Sequence, residues 1–151
     1  MTENTTPENQ EFKELDIFLA TFMNFLRIKR EGMEVSFSIP ITLNIKGLIV
    51  TGELIDLTDY IRGIIQEMES ATYASEISRM YGSAYTRVFS EILTDDLNST
   101  EDIDLVPPRY IHLKNAKYFV GNRLVPTNRG VYWRGRLDQV DGFNLGNISS
   151  D

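Results

Sequence analysis

The chain has 151 residues, of which 42% are hydrophobic and 25% are charged, and these values are typical of one globular domain with its own core. It contains no cysteine, which excludes disulfides, thiolate metal sites and a cysteine nucleophile. The net charge of −7 weighs against a nucleic-acid partner, and no apolar run approaches the roughly 18 to 20 residues of a membrane span.

Residues 1–10 are polar and lack the features of a signal peptide, so we expect a disordered leader on a cytoplasmic protein. An amphipathic helix rich in phenylalanine follows. Its apolar side chains recur at three- and four-residue spacing, at Phe12, Leu15, Phe18, Leu19, Phe22, Phe25 and Leu26. We expect this helix to pack on a sheet; the alternative is that part of its apolar face contacts a partner.

A β-hairpin is predicted over residues 34–57. Apolar and polar side chains alternate strictly in its first half, where the apolar positions are Val35, Phe37, Ile39, Ile41, Leu43 and Ile45. Pro40 cannot donate a hydrogen bond to a neighbouring strand, which indicates an edge strand or a bulge at that point. Lys46-Gly47 is the expected turn.

The helical period returns after the hairpin, with Thr58 as the predicted N-cap. An unbroken helix from there would extend roughly 50 Å. We therefore expect a break at residues 70–72 or 82–83, with a protruding or oligomerising helix as the alternative. Residues 94–108 are an acidic linker that ends in two prolines, and their spacing favours a solvated loop over a metal site.

The C-terminal third repeats the pattern of the first hairpin. Residues 130–143 align with residues 47–60, so that glycines and leucines coincide as Gly47 with Gly130, Gly52 with Gly135 and Leu54 with Leu137, while Ile41 matches Ile111 upstream. We predict a single α+β domain over residues 11–151, in the order αββαβββ. Its antiparallel sheet of about five strands should be strongly bent, because glycines within strands mark sharp bends. A small open barrel is the alternative.

His112 is the only histidine, and it is predicted to lie on a strand between two inward-facing residues, Ile111 and Leu113. Its side chain should therefore point to the other face, beside Lys114. No cysteine, serine or carboxylate motif accompanies it, so we expect a surface or hydrogen-bonding role instead of a triad or a metal site.

Trp133 is expected to pack in the core beside Gly135. The opposite face of the same strand carries an aromatic residue among arginines, a combination that can bind an acidic surface; a solvated face balanced by acidic neighbours is the alternative. The candidate partner-binding surface consists of Tyr132, Arg134, Arg136, Arg129, His112 and Lys114. We predict no catalytic, cofactor-binding or metal-binding residue.

Residues 110–122 and 129–149 resemble the C-terminal part of the gas vesicle accessory protein GvpU family. The resemblance rests on the segment from Ile111 to Asn115, on Trp133-Arg134-Gly135, and on the segment from Val140 to Phe143. It covers roughly the last 40 residues, and the phenylalanine-rich helix has no recognised counterpart.

The resemblance implies a non-enzymatic accessory protein without a cofactor, located in the cytoplasm at the vesicle surface. Its implied partners are gas vesicle shell or accessory proteins and further copies of the chain. The alternative function is a small barrel that binds a small ligand or nucleotide, or acts as an enzyme, through His112 and the arginines around Trp133.

Overall fold

The computed structural model describes residues 16–28, 37–70 and 109–149, together with positions 80, 83, 84, 87, 88 and 91. The predicted leader and the acidic linker lie outside these residues, as do positions 71, 72 and 82 of the predicted helix break, and all three stay predictions. None of the helices in the described part of the chain has the length and apolar character needed to span a bilayer.

Within residues 16–28, 37–70 and 109–149 the structure contains two helices and six strands. In chain order they are α1 (Ile17–Ile28), β1 (Ile39–Ile45), β2 (Leu48–Ile55), α2 (Leu57–Ser70), β3 (Tyr110–Val120), β4 (Arg123–Val125), β5 (Val131–Arg136), a 3-10 turn (Leu137–Gln139) and β6 (Gly142–Leu145). The strands form one antiparallel sheet in the order β6-β1-β2-β3, and both β4 and β5 pair with the far side of β3. The predicted α+β class is confirmed, with one short strand more than expected. In the described residues β6, at one edge of the sheet, pairs with neither β4 nor β5 at the other edge, so the strands do not form a barrel and that alternative is wrong.

The first hairpin forms as predicted, around a two-residue turn. Lys46 and Gly47 both have positive φ, at 52° and 86°, as a type I′ turn requires. Two side chains satisfy the backbone of this turn: Asp141 accepts a hydrogen bond from the Lys46 N–H at 2.6 Å, and Asn44 accepts one from the Gly47 N–H at 3.0 Å. The side-chain bond from Asp141 stabilises a conformation that lysine does not favour.

Pro40 lies in an interior strand, so the prediction of an edge strand or a bulge is wrong. The register between β1 and β2 shows no shift, and β6 pairs with the other side of β1 from residue 41 to residue 44. The Pro40 carbonyl accepts a hydrogen bond from Gly146 at 2.8 Å. Proline is tolerated there because it lies just beyond Ile41, the last residue that pairs with β6, so that β6 needs no N–H from it.

The pairing registers of the two hairpins agree with the sequence repeat. Equivalent residues are opposite each other in both, as Ile41 with Gly52 and Ile111 with Gly135, and as Leu43 with Val50 and Leu113 with Trp133. In the second hairpin the connection between the paired strands is longer and contains β4. The two copies then diverge, since α2 follows the first and the 3-10 turn with β6 follows the second.

A β-bulge interrupts β3 next to Gly52 and Gly130. A bulge favours the strong bend that the glycine pattern predicts, and the bend itself stays a prediction. Asn115 has a φ of 50° and is the extra residue relative to both neighbouring strands. A Cβ at Gly52 would lie 3.1 Å from the Ala116 Cα, and one at Gly130 would lie 2.3 Å from the Asn115 carbonyl carbon. The absence of side chains at Gly52 and Gly130 therefore allows the neighbouring strands to approach the bulge closely.

Helix α1 covers one face of the sheet, as expected. Leu19 and Leu26 from this helix are buried in the main hydrophobic core. The sheet residues that complete the core are fully buried: Ile41, Leu43, Val50, Leu54, Ile111 and Leu113. Burial of apolar side chains of this size contributes roughly 1.5–3 kcal/mol each before the entropy cost of ordering the chain.

Helix α2 packs on the other face, where Ile55 and Ile61 are also buried. It begins at Leu57, and the Asp56 carboxylate accepts a hydrogen bond from the Asp59 N–H at 2.7 Å. Asp56 is therefore the N-cap, and the prediction that assigned this role to Thr58 is wrong. An aspartate carboxylate also interacts favourably with the positive end of the helix dipole.

Candidate functional site

The predicted partner-binding residues divide into two groups because α2 covers part of their face. His112 and Tyr132 pack against this helix. Arg129, Arg134 and Arg136 are exposed, and Lys114 is half-buried. Five of the six lie in β3 or β5, but they do not form one continuous open surface.

His112 is buried, so the prediction of a surface position is wrong. Its exposed fraction is 5%, and its ring lies 4.7 Å from the ring of Tyr60 in α2. Burial, with a smaller contribution from the positive charge of Arg134, lowers the pKa of His112 from 6.5 to about 4. The imidazole is therefore neutral at neutral pH. The alternation of β3 correctly placed this side chain opposite the core, but it does not show that a helix covers that face.

Among the described residues, no group forms a hydrogen bond with the Nε2 atom of His112. A buried polar atom in this state costs about 1–3 kcal/mol, because it loses its bond to water without replacement. The alternative prediction of a hydrogen-bonding role therefore fails at this atom.

Tyr132 fits beneath a glycine of α2. Its ring lies 6.2 Å from the Tyr60 ring in an edge-on arrangement, and a Cβ at Gly63 would lie 2.1 Å from its Cζ atom. Gly63 therefore provides the space that the tyrosine ring occupies. Neither Tyr60 nor Gly63 was predicted as a site residue, although a glycine inside a predicted helix is a signal of close packing because it lowers helix propensity.

The exposed cations have nearby partners. Arg129 bonds to Glu67 of α2, Arg136 bonds to Asp138, and the Lys114 ammonium lies 3.3 Å from the Glu53 carboxylate. The Arg134 guanidinium instead lies 4.0 Å above the centre of the Tyr110 ring, a cation–π contact. Exposed pairs of this kind contribute at most about 1 kcal/mol each, so an incoming carboxylate can replace them at little cost.

Trp133 packs into the core, as predicted. It is half-buried against the main hydrophobic cluster. A Cβ at Gly135 would lie 2.1 Å from the edge of its ring, so the indole lies across this glycine. Trp133 has a structural role next to the basic residues and does not contribute its ring to an open surface.

The outer side of α1 forms a second candidate surface, which we name the α1 outer face and define by Ile17 and Phe18. These side chains are 72% and 71% exposed, whereas the neighbouring Leu19 is fully buried. The phenylalanine-rich helix thus packs on the sheet and also presents apolar side chains to solvent. Large exposed apolar residues that adjoin each other mark interaction sites more often than scattered ones do.

The described residues contain no group of three or more histidine, aspartate or glutamate side chains that could hold a metal ion. Among the described residues, α1 has exposed apolar side chains and β5 has exposed charged side chains. Both kinds of side chain occur in protein–protein interfaces.

A protein family described as gas vesicle protein GvpU-like matches residues 16–148. No curated protein and no solved structure gives a match. The family match extends well beyond the C-terminal hairpin and includes α1, the helix for which the sequence resemblance identified no counterpart. Since the match covers most of its length, the chain belongs to the GvpU-like family of gas vesicle proteins.

Proposed function

We propose that the chain is a non-enzymatic accessory protein that acts in the cytoplasm at the gas vesicle surface. It binds shell or other accessory proteins, or further copies of itself, and thereby influences vesicle assembly or clustering. The observation that supports a contact surface is the α1 outer face, where Ile17 and Phe18 are 72% and 71% exposed. Family membership supports the gas vesicle as the partner.

The α1 outer face suits weak and repeated binding. Full burial of Ile17 and Phe18 would contribute about 1.5–3 kcal/mol each, and the loss of free motion on association offsets much of this. A partner that presents many copies of one binding site raises the apparent affinity through multivalency. Self-association of the chain would have the same effect.

No observation favours the ligand-binding or enzymatic alternative. That alternative depends on His112, whose exposed fraction is 5% because Tyr60 of α2 covers it. A ligand would have to displace this helix before it reached the imidazole. The arginines near Trp133 form exposed pairs and do not converge on a cavity with His112.

The test is flotation of purified gas vesicles mixed with the protein. The double variant Ile17→Ser with Phe18→Ser removes the apolar side chains of the α1 outer face and leaves the buried side of the helix intact. Val120→Ser is the matched control, because this valine is 54% exposed and lies at the far end of β3. We expect the double variant to float with vesicles on the order of tenfold less than wild type, while the control is unchanged.

Sedimentation velocity on the same proteins tests self-association. The proposal is wrong if the wild-type chain neither floats with vesicles nor associates with itself. If the double variant keeps wild-type behaviour in both measurements, the accessory role stands and the α1 outer face is not the contact surface.

A further inference from the structure

The outer edge of β5 is an open sheet edge. This strand pairs with β3 on one side, and within the described ranges no strand pairs with its other side. The Leu137 N–H donates to the Arg109 carbonyl at 3.0 Å, which identifies these two residues as a hydrogen-bonded antiparallel pair. Because such pairs alternate, the backbone groups of Arg136, Arg134 and Tyr132 point away from β3.

The side chains along this edge differ between its two faces. Arg134 and Arg136 are exposed on the face of α2, where Tyr110 supports the Arg134 guanidinium from below at 4.0 Å. Val131 is exposed on the strand near the other end of the edge. The edge therefore combines outward-pointing backbone groups, two cations two residues apart and an apolar contact.

We propose that the open edge of β5 binds an extended acidic segment of a partner protein by β-strand addition. The backbone of the segment bonds to the outward groups of Tyr132, Arg134 and Arg136. Acidic side chains at alternate positions meet Arg134 and Arg136, because successive side chains of a strand point to opposite faces. Apolar side chains at the positions between them lie on the other face.

Charge favours this occupant over a second copy of the same edge. The chain carries a net charge of −7, so most of its surface repels an acidic segment, while the two arginines attract it to β5. Pairing of β5 with β5 of another copy would place the arginines of both strands side by side, and like charges across strands are destabilising. This edge is distinct from the α1 outer face, so the inference does not depend on how vesicles are bound.

Fluorescence anisotropy with three labelled octapeptides tests the inference on the full chain. The probe alternates Glu with Val. The first matched peptide replaces every Glu with Lys. The second keeps the Glu–Val sequence but carries N-methyl groups on the Glu amides, whose N–H groups face β5 when the segment pairs antiparallel with its Glu side chains beside the arginines. We expect binding of the probe alone, with affinity that falls as the salt concentration rises.

Protein variants separate this site from general charge effects. The double variant Arg134→Glu with Arg136→Glu should bind the probe at least tenfold more weakly. The matched control is Arg62→Glu with Arg123→Glu, which reverses two other exposed arginines and should bind as wild type does. Far-ultraviolet circular dichroism checks that each variant is folded.

Three results would overturn the inference. They are absence of probe binding up to about 1 mM, equal binding of the N-methylated peptide, and equal binding by the double variant. Equal binding of the N-methylated peptide would mean that charge alone attracts the probe without strand addition.

Discussion

Different kinds of interaction stabilise the two faces of the sheet. On the α1 face, leucines of the helix meet isoleucines, leucines and valines, and the contact is almost wholly apolar. On the α2 face, the Tyr60 ring packs at a tilt against His112, Tyr132 fits under Gly63, and the hydroxyls of Thr42 and Thr51 bond to each other at 3.0 Å. Apolar burial depends on area, whereas ring contacts, hydroxyl bonds and a glycine contact depend on geometry. The first face should therefore contribute more stability, and the second should be more sensitive to small changes.

The largest effect is expected on the α1 face. Leu113→Ala removes a fully buried side chain from the centre of the sheet, and we expect a loss of about 2–5 kcal/mol in the free energy of unfolding. Leu145→Ala, at an exposed leucine of β6, is the control and should cost far less. Urea denaturation gives both values. A loss below about 1 kcal/mol for Leu113→Ala would contradict the assignment of the main core.

The second effect concerns pH on the α2 face. The folded state holds the pKa of His112 at about 4, below its ordinary value of 6.5, so between these values the unfolded chain binds the proton more readily. The protonation of His112 therefore does not change the free energy of unfolding above pH 6.5, and it lowers this free energy as the pH falls to about 4. The total decrease is about 3 kcal/mol, from the difference between the two pKa values.

His112→Leu removes this pH-dependent decrease. We expect the stability of the variant relative to wild type to increase as the pH is lowered from 6.5 to 4, as measured by urea denaturation at each pH. Nuclear magnetic resonance of the single histidine measures its pKa directly. A value near 6.5 would show that α2 does not cover the ring.

The third effect is steric. Gly63→Ala places a Cβ within the ring of Tyr132, and we expect a loss of about 1–3 kcal/mol even though alanine favours helices. Gly142→Ala is the control, because a Cβ there meets no atom within 4 Å. In a Tyr132→Ala background, Gly63→Ala should no longer destabilise the protein. An equal loss in both backgrounds would refute the contact.

The smallest effect concerns the start of α2. Asp56→Ala removes the side-chain acceptor for the Asp59 N–H and should cost about 1 kcal/mol in thermal or urea unfolding. Thr58→Ala is the matched variant, because the sequence alone indicated Thr58 as the cap. If Thr58→Ala proved the more destabilising of the two, the N-cap would lie at Thr58 after all.

The sequence predicted those features that depend on neighbouring residues. The alternation from Ile39 to Ile45 and the glycine of the following turn indicate a hairpin without reference to the rest of the chain. The pattern shared by Gly52 and Gly135 likewise predicted two hairpins with the same pairing. These signals are local, and the tertiary structure agrees with them.

Features that depend on distant contacts were not predictable in the same way. Period-two alternation shows that His112 points away from the core, but it contains no information on the helix that covers it. The three residues of β4 are too few to show a pattern. Pro40 led to the prediction of an edge strand, because the sequence of neither β1 nor β6 alone shows that these two strands pair. Among the candidate site residues, the exposure of the arginines was therefore predicted correctly and that of His112 was not.

Because of the bulge at Asn115, the curvature of the sheet can change without a change in which side chains face the core. Leu113 and Ala116 both face the core, and Lys114 with Asn115 occupies the interval between them, so removal of one residue there would restore plain alternation without moving any core side chain to the other face. Elsewhere in β3, a one-residue deletion would move the side chains that follow it to the opposite face of the sheet. Asn115 is thus the position at which chain length can change during evolution or design, altering the bend of the sheet while the core remains the same.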